Sequence, residues 1–362
     1  MPLAKITLEN FRNHASSALT ETAHFNLLVG ENGAGKTNIL EALSLLSPGR
    51  GLRRAALTEM ARKPGNDEPA RGFAIGASLI EQGQVSARLG TYVEAERPSR
   101  RMVRINGAEA SASSLSEWHA VSWLTPAMDG LFTDSAGARR RFVDRMTLAV
   151  EPGHAKCVSQ YETALRERNR LLETRADARW LDALEAQAAQ HGAQMAAARG
   201  RLISLLKDEL SALPQEPFAK PDLTYRPGGP TDAAQLLATF ARERGRDAAA
   251  GRALSGPHRD ELEVTMASSG IPAASCSTGE QKAMLIAITL AQGVLAAEGR
   301  PSVLLLDEVA AHLDPVRRAE LFRRLGAGRA QVWMTGTELA PFAEIESEAA
   351  IWRVSGGALE RL

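Results

Sequence analysis

The sequence predicts an α/β protein: a head built on a parallel sheet, with an antiparallel β subdomain and an inserted, mainly helical lobe. Three features lead to this prediction. The pattern GxxxxGK[ST] occurs at residues 30–37, between a short apolar run and a segment of helical character. The apolar run 303–306 ends on two carboxylates, and the stretch 138–213 is rich in Arg, Ala, Leu, Glu and Gln but poor in Gly. We therefore place the head at 1–130 plus 255–362 and the lobe at 131–254.

The first segments of the head predict strands around one loop. Residues 6–9 alternate apolar and polar side chains, which indicates a strand. The apolar run 25–29 stops at Gly30, as expected of a buried strand that leads into a glycine-rich loop. Residues 38–46 have helical character and end before Pro48.

The antiparallel subdomain is predicted from 71–105, where short segments alternate apolar and polar residues. Asn106-Gly107 then predicts a two-residue hairpin turn. Strand character returns near the C-terminus at 261–266, 303–306, 331–334 and 350–354. The run 303–306 is apolar throughout, which is typical of a central strand that is buried on both faces.

The predicted lobe contains a helical hairpin. Apolar or small side chains recur near heptad positions along its second helix, at Leu181, Leu184, Ala188, Met195, Ala198, Leu202 and Leu205. Tyr161, Leu165 and Leu172 supply a facing stripe on the preceding helix. At about 1.5 Å per residue, the longest helix is expected to extend roughly 50 Å. An ordinary helical subdomain is the preferred interpretation, and an extended coiled coil is the alternative.

The composition is that of a soluble globular protein, with 44% hydrophobic and 24% charged residues in 362 positions. Lys and Arg together number 43, as do Asp and Glu, so any DNA-binding surface must be local. Cys157 and Cys276 are too few and too far apart for a disulfide framework or a zinc site. The N-terminus lacks a signal-peptide pattern, and the longest apolar stretch, 283–297, is shorter than the ~20 residues of a membrane span. A cytoplasmic protein without a membrane partner is expected.

The loop at 30–37 has the pattern of a P-loop, in which backbone N–H groups and the following helix N-terminus surround phosphate oxygens. A chance match is disfavoured because the loop lies between an apolar strand and a helix, the context that the motif requires. Lys36 is expected to reach the β- and γ-phosphates of ATP as a catalytic residue, and Thr37 to bind Mg²⁺. The predicted nucleotide-binding residues of this loop are Gly30, Glu31, Asn32, Gly33, Ala34, Gly35, Lys36 and Thr37.

Asp307 and Glu308 follow the run 303–306, at the strand end where ligands bind in parallel sheets. Asp307 is expected to hold Mg²⁺ through water, and Glu308 to polarise the attacking water as the catalytic carboxylate. Two carboxylates after a buried strand can also be solvated loop positions. A P-loop in the same chain favours the catalytic interpretation.

Ser277-Thr278-Gly279-Glu280-Gln281 opens an apolar helix ahead of the acidic pair. A serine at a helix start is commonly a plain N-cap. Its spacing from the acidic strand end, however, resembles that of the signature motif of ABC-type ATPases, and Ala311-His312-Leu313-Asp314 resembles their D-loop. This resemblance implies an ABC-type head in which Ser277, Gly279 and Glu280 face the γ-phosphate bound by a second copy. ATP would then join a homodimer.

Four further stretches resemble the RecF family of recombination proteins: ITLENFRN at 6–13, RRRFVD at 139–144, YETALRERN at 161–169 and SGPHRD at 255–260. Together with the ATPase motifs they span nearly the whole chain. The resemblance implies a weak, slow ATPase that binds double-stranded DNA and ss/dsDNA junctions at gaps as an ATP-induced dimer. It also implies a role in DNA replication and repair by homologous recombination, assisting RecA loading with RecR and RecO.

Two positions depart from the related patterns. Transporter-type ABC ATPases carry a histidine after the strand that follows the acidic pair, whereas this chain offers Thr335 and Thr337. One of these threonines is therefore expected to contact the γ-phosphate region. RecF-like chains often have Glu-Asp directly after the proline equivalent to Pro126, and Asp129 is the nearest carboxylate in this chain.

Two basic clusters are candidates for contacts to DNA phosphates: Arg97, Arg100, Arg101 and Arg104, and Arg50, Arg53 and Arg54. Either cluster can equally be a solvated face. No aromatic residue interleaves with these arginines along the sequence, so duplex backbone binding is preferred to base stacking. His258 has no second ligand at metal-binding spacing and is expected to be a structural turn residue.

Other functions remain as alternatives. A transport-associated ATPase subunit is disfavoured by the missing histidine and the long helical insertion. A structural ATPase of the SMC class would need much longer coiled-coil arms. An overcoming-lysogenization-type nuclease would need an acidic catalytic domain after the ATPase motifs.

Overall fold

The computed structural model describes residues 3–62, 72–81, 84–174, 178–214 and 216–362. The chain divides into two compact units, residues 1–128 with 289–362 and residues 129–288. Residues 255–288, which the sequence predicts as part of the head, group with the second unit. Residue 71 of the predicted strand region and residues 175–177 of the predicted hairpin lie outside the described residues.

The secondary structure alternates between strands and helices along most of the chain. In chain order the elements are β1 (Leu3–Phe11), β2 (His14–Leu19), β3 (Phe25–Val29), α1 (Lys36–Ser44), α2 (Leu57–Met60), β4 (Phe73–Glu81), β5 (Gln84–Val93), β6 (Arg101–Ile105), β7 (Ala108–Ala110), α3 (Leu115–Trp118), β8 (Ala120–Leu124), α4 (Ala136–Val150), α5 (His154–Thr174), α6 (Ala178–Ala212), β9 (Pro221–Arg226), α7 (Ala233–Ala250), β10 (Glu261–Met266), α8 (Thr278–Ala296), β11 (Ser302–Leu306), α9 (Pro315–Ala327), β12 (Gln331–Gly336), β13 (Ala349–Ser355) and β14 (Ala358–Arg361). This composition confirms the predicted α/β class.

The first unit contains a mainly parallel sheet in the order β14-β13-β3-β12-β11-β8. Neighbouring strands are parallel except for β13 with β14. β3, β8, β11 and β12 are buried along their whole length, as expected of parallel strands covered on both faces. Because these strands share one direction, the segments that follow β3, β11 and β12 meet at the same edge of the sheet.

An antiparallel sheet in the order β2-β1-β4-β5-β6-β7 completes the first unit. The predicted hairpin turn is confirmed: Ile105 pairs with Ala108, and both turn residues have positive φ, 53° at Asn106 and 86° at Gly107. One buried cluster joins side chains of both sheets and α1, with Phe11 packed edge-on against Phe73 and Trp333 stacked on Trp352. The P-loop helix is thus held between the two sheets.

The second unit is mainly helical. Its longest helix, α6, has 35 residues and extends roughly 50 Å, as predicted. α6 contacts α4, α5, α7 and β9 of the same unit, so it belongs to a packed subdomain rather than to a bare coiled-coil arm. The heptad prediction fails at Leu205, which is 42% exposed because the neighbouring Leu206 takes the buried position.

Within the described residues, no helix combines the length and hydropathy that a membrane span requires. The apolar helix α8 is explained by burial, since Met284, Leu285 and Ile288 are almost fully inaccessible to solvent.

Candidate nucleotide-binding site

The P-loop connects β3 to α1. Gly30 packs so closely against β13 that a Cβ on it would lie 2.1 Å from the carbonyl oxygen of Val354, which no side chain can tolerate. Gly35 caps α1 at a φ of 116°, a region that favours glycine. The N–H groups at the start of an α-helix generally lack intrahelical acceptors and are available to an anion. The predicted phosphate cradle therefore has the backbone that an anion site needs.

Lys36 lies inside this loop and is only 4% exposed. Its Nζ donates to the carbonyl oxygens of Gly30 at 2.5 Å and Glu31 at 2.9 Å. Burial lowers the pKa of Lys36, while the nearby carboxylates of Glu308 and Asp307 act in the opposite direction. The ammonium group is therefore positioned between the P-loop and the acidic pair.

Asp307 links three segments that are distant in the sequence. Its Oδ1 accepts a hydrogen bond from Thr37 Oγ1 at 2.9 Å, across 270 residues, and one from Thr335 Oγ1 at 2.8 Å. Burial raises the pKa of Asp307, and the two hydroxyl donors oppose that change. Thr37 and Asp307, the two predicted metal residues, are thus brought together. Hard oxygen donors of this kind fit Mg²⁺, which commonly takes one or two protein oxygens and completes its shell with phosphates and water.

Glu308 has a backbone φ of 53°, unusual for a residue with a side chain. Its N–H donates to Thr335 Oγ1 at 2.8 Å. The Thr335 hydroxyl therefore donates to one member of the acidic pair and accepts from the other. Because Thr335 is only 1% exposed and its hydroxyl hydrogen is already engaged, Thr337 is the better placed of the two threonines to contact a ligand.

Thr337 lines a cavity of about 620 Å³ beside the P-loop. The cavity is also lined by Gly30, Glu31, Asn32, Gly33 and Ala34, and by residues 353–356 of the β13–β14 hairpin. Its size lies within the range of small-molecule sites. Residues 30–34 of the predicted P-loop thus border this cavity, and Lys36 and Thr37 lie beside the acidic pair, whereas Gly35 caps α1.

Asn13 and His14, at the turn between β1 and β2, contact the P-loop, although the sequence alone assigned this turn no role in the site. Asn13 donates through Nδ2 to the carbonyl of Ala34 at 2.8 Å, and its Oδ1 accepts from Asn38 at 2.7 Å. His14 Nε2 lies 3.2 Å from the Gly35 carbonyl oxygen. Residues 12–13 lay within the stretch that resembled RecF, but the family resemblance gave them no role.

Ser277, Gly279 and Glu280 lie in the second unit, at the start of α8. The N–H and Oγ of Ser277 both donate to Glu280 Oε2 at 2.8 Å, and the Glu280 N–H donates back to Ser277 Oγ at 3.3 Å. This is a capping box. The hydrogen bonds from Ser277 hold the pKa of Glu280 below its ordinary value. A Cβ on Gly279 would meet no atom within 4 Å, so the fold of this chain does not itself require glycine there.

Other candidate residues have defined contacts. Asp129, the nearest carboxylate after Pro126, lies 3.4 Å from Lys282 Nζ within the second unit. His258 is structural, as predicted: Nε2 donates to the Ala253 carbonyl at 2.9 Å and Nδ1 accepts from Tyr161 at 2.7 Å. Among the described residues, no group of three His, Cys, Asp or Glu side chains could hold a metal ion.

The first basic cluster needs correction. Arg101 is not a surface residue: its guanidinium donates to the Leu45, Ser47 and Gly49 carbonyls just after α1. Arg104 is exposed, but its guanidinium lies 4.8 Å above the ring of Tyr92. An aromatic residue is therefore present among these arginines in space, although none interleaves with them closely in the sequence.

Sequence comparison relates the chain to known proteins. The family model described as RecF/RecN/SMC N terminal domain matches residues 2–357. The chain is 45% identical to the DNA replication and repair protein RecF of Mesorhizobium japonicum, over 98% of this chain and 96% of the relative. It is 46% identical to RecF of Brucella suis, over 99% and 95%.

Solved structures extend the agreement to the fold. The structure of the recombination mediator protein RecF with ATP, from the RecFOR pathway, superposes with a TM-score of 0.85 at 21% identity, covering 100% of this chain and 97% of that one. An SMC head bound to the C-terminal winged-helix domain of ScpA gives a TM-score of 0.57 at 16% identity, covering 100% and 98%. The fold is therefore that of RecF and SMC ATPase heads. On the full-length similarity to its relatives, the chain belongs to the RecF family of DNA replication and repair proteins.

Proposed function

We propose that the chain is an ATP-dependent, DNA-binding recombination and repair protein that acts at single-strand gaps. The observation that carries this function is the hydrogen bond between Thr37 of the P-loop and Asp307 of the acidic pair, 2.9 Å long and 270 residues apart in the sequence. It joins the two halves of a Mg²⁺–ATP site. The family membership of the chain supplies the DNA-repair context.

In this proposal the P-loop amides and Lys36 bind the phosphates, and Thr37 and Asp307 hold Mg²⁺. Mg²⁺ would supply neutralisation of the phosphate charge when bound. Glu308 orients the attacking water, with its backbone fixed by Thr335. Thr337 contributes a hydroxyl at the edge of the cavity. These residues support a slow ATPase of the kind that uses nucleotide to control assembly.

We further propose that ATP joins two copies of the chain. Ser277, Gly279 and Glu280 are at the surface of the second unit, at the start of a 19-residue helix whose positive end favours phosphate. Gly279 makes no packing contact that requires a glycine. A nucleotide bound by a second copy would explain why this exposed helix start carries a glycine. Glycine has no side chain and therefore lets the nucleotide approach closely.

The proposed DNA substrates are duplexes and ss/dsDNA junctions at gaps, with RecA loading assisted through RecR and RecO. Support comes from the relatives named DNA replication and repair protein RecF and from the neighbour described within the RecFOR pathway. A cytoplasmic location fits these partners.

ATP-dependent DNA binding tests the proposal. Fluorescence anisotropy of labelled gapped, duplex and single-stranded DNA should show ATP-stimulated binding by the wild type and longer-lived complexes with Glu308→Gln, which binds ATP but hydrolyses it poorly. Lys36→Ala is the control, because it removes the phosphate-binding ammonium and should show no stimulation. Absence of ATP-stimulated binding in both the wild type and Glu308→Gln would refute the proposed function.

A further inference from the structure

The turn at 256–260 of the second unit is fixed from several sides. His258 bonds to Tyr161 and Ala253. Asp260 accepts from Arg199 at 2.8 Å, from the Gly228 N–H at 2.8 Å, and from the Tyr225 hydroxyl. Both side chains point into the unit. The residue between His258 and Asp260 in the sequence therefore has a fixed backbone, and its side chain lies on the opposite side of the turn.

Arg259 is that side chain, and it is exposed. Gly228 packs against its backbone so closely that a Cβ there would lie 2.4 Å from the Arg259 carbonyl carbon. Among the residues that the structure describes, the Arg259 guanidinium has no hydrogen-bond or ion-pair partner. A fixed backbone thus presents an unpaired positive charge to solvent.

Two further arginines lie at the start of α4. Arg141 Nη1 and Arg140 Nη2 stand 3.2 and 3.7 Å from the position that a Cβ on Gly137 would occupy, so the two guanidinium groups converge over one glycine. Arg140 also donates to the Asp260 carbonyl oxygen at 2.9 Å, which ties it to the 256–260 turn. Burial lowers the pKa of Arg140; the charges of Glu261 and Asp260 oppose this change, and those of Arg199 and Arg259 add to it. Arg140, Arg141 and Arg259 therefore form one cluster, which we name the arginine triad.

The carboxylates around the arginine triad are already engaged. Glu261 pairs with Arg139 through both oxygens, at 2.6 and 3.0 Å. Asp260 and Asp144 both bind Arg199. The first turn of α4 has no acidic residue. Among the described residues, no carboxylate forms an ion pair with the three guanidinium groups. Glu261 and Asp260 offset part of the charge of Arg140 from a greater distance, and the repulsion that remains favours the binding of an external anion.

We propose that the arginine triad is a phosphate-binding site for the sugar–phosphate backbone of DNA. Guanidinium groups bind phosphate oxygens in bidentate geometry, and a cluster of three suits adjacent phosphates of a strand. The site has no aromatic or amide group aimed at bases among the residues discussed, so its binding is independent of sequence. This inference rests on the proposed DNA-binding function and assigns part of the contact surface to the second unit.

Salt-dependent DNA binding tests it with the full-length chain and ATP. Arg141→Gln and Arg259→Gln each remove an exposed, unpaired charge without removing a hydrogen bond that the fold uses. Each should raise the Kd for duplex DNA roughly five- to tenfold at ~0.1 M salt and lower the slope of log K against log salt by about 0.9. The rise in Kd and the decrease in the salt slope should each be the same for unrelated DNA sequences. The Lys variants, Arg141→Lys and Arg259→Lys, should retain most of the salt slope.

Arg246→Gln is the matched control, because Arg246 is a 73% exposed arginine on α7 of the same unit. It should leave the salt slope unchanged. If the wild type binds no DNA with ATP, the proposed function itself is wrong. If the wild type binds and the two triad variants keep its affinity and slope, the triad is not a DNA site. If the triad variants instead lose affinity for Mg²⁺–ATP and bind DNA normally, the triad binds nucleotide phosphate, and the inference is also wrong.

Discussion

Thr335 Oγ1 donates a hydrogen bond to Asp307 Oδ1 at 2.8 Å. The same hydroxyl accepts the backbone N–H of Glu308, so one side chain of β12 fixes both carboxylates at the end of β11. Glu308 is held with a positive φ, a conformation that costs of order 1–3 kcal/mol and persists only when its surroundings impose it. Thr335 is therefore a positioning residue for the acidic pair.

Thr335→Val should lower kcat for ATP hydrolysis roughly 10- to 100-fold, which corresponds to about 1.4–2.7 kcal/mol, while ATP affinity changes little. The reason is that valine keeps the shape but leaves the buried Glu308 N–H without an acceptor. Steady-state kinetics and hydrogen exchange at the Glu308 amide, measured without nucleotide, check this expectation. Thr335→Ser should restore both the wild-type kcat and the wild-type exchange rate of the Glu308 amide. Equal exchange rates in the valine variant and the wild type would contradict it.

Lys36→Ala should abolish nucleotide binding, whereas Ser277→Ala should bind ATP and fail to dimerise in response to it. Light scattering with and without ATP measures the second effect. Because Ser277 also caps α8, a matched control is needed: Ser135→Ala removes the N-cap of α4, whose hydroxyl accepts the Ala138 N–H at 3.3 Å. Ser135→Ala should lose a similar amount of thermal stability yet still dimerise. Normal dimerisation of Ser277→Ala would refute the shared site.

His119 should make stability fall in mild acid. It is fully buried, and burial, aided by the charge of Arg300, lowers its pKa from 6.5 to about 4. The unfolded chain takes up a proton near pH 6.5 and the folded chain only near pH 4, so this stability is present above pH 6.5 and is lost as the pH falls towards 4. The loss amounts to roughly 3 kcal/mol. Urea unfolding of the wild type and His119→Leu from pH 4.5 to 7.5 should give a flatter curve for the variant, and parallel curves would exclude His119 as the cause.

Arg168→Met should destabilise the second unit by about 3–5 kcal/mol. Arg168 is fully buried and binds the buried carboxylates of Glu185 at 2.9 Å and Asp247 at 2.8 Å. Its removal leaves the buried Asp247 carboxylate without this cation, whereas Glu185 keeps its ion pair with Arg244 at 2.6 Å. Chemical denaturation measures the change. Arg201→Met is the control, because Arg201 is 59% exposed in its pair with Glu151, and a surface pair contributes at most about 1 kcal/mol. A similar loss in both variants would contradict the role of burial.

The elements that the sequence predicted well have strong local patterns. β3 and β10 begin and end where the patterns of apolar residues place them, and the turn at Asn106 follows from the conformational preference of Asn-Gly. The elements that it missed lack such patterns. β2 contains several small or polar residues, β9 begins at a proline, and β14 has four residues. Their strand structure depends on pairing with β1, β10 and β13 rather than on their own patterns.

The sequence by itself determined the α/β class, the P-loop and the acidic pair, and it indicated the family, because backbone conformation and motif chemistry depend on neighbouring residues. Only the tertiary structure decided that Thr335 binds Asp307, that the Arg101 guanidinium binds the carbonyls after α1, and that Arg259 lies with two other arginines. Those outcomes depend on which segments, 28 to 120 residues apart in the sequence, pack together. The sequence does not specify which partner a charged or hydroxyl side chain binds. Burial and distance in the folded chain determine that partner.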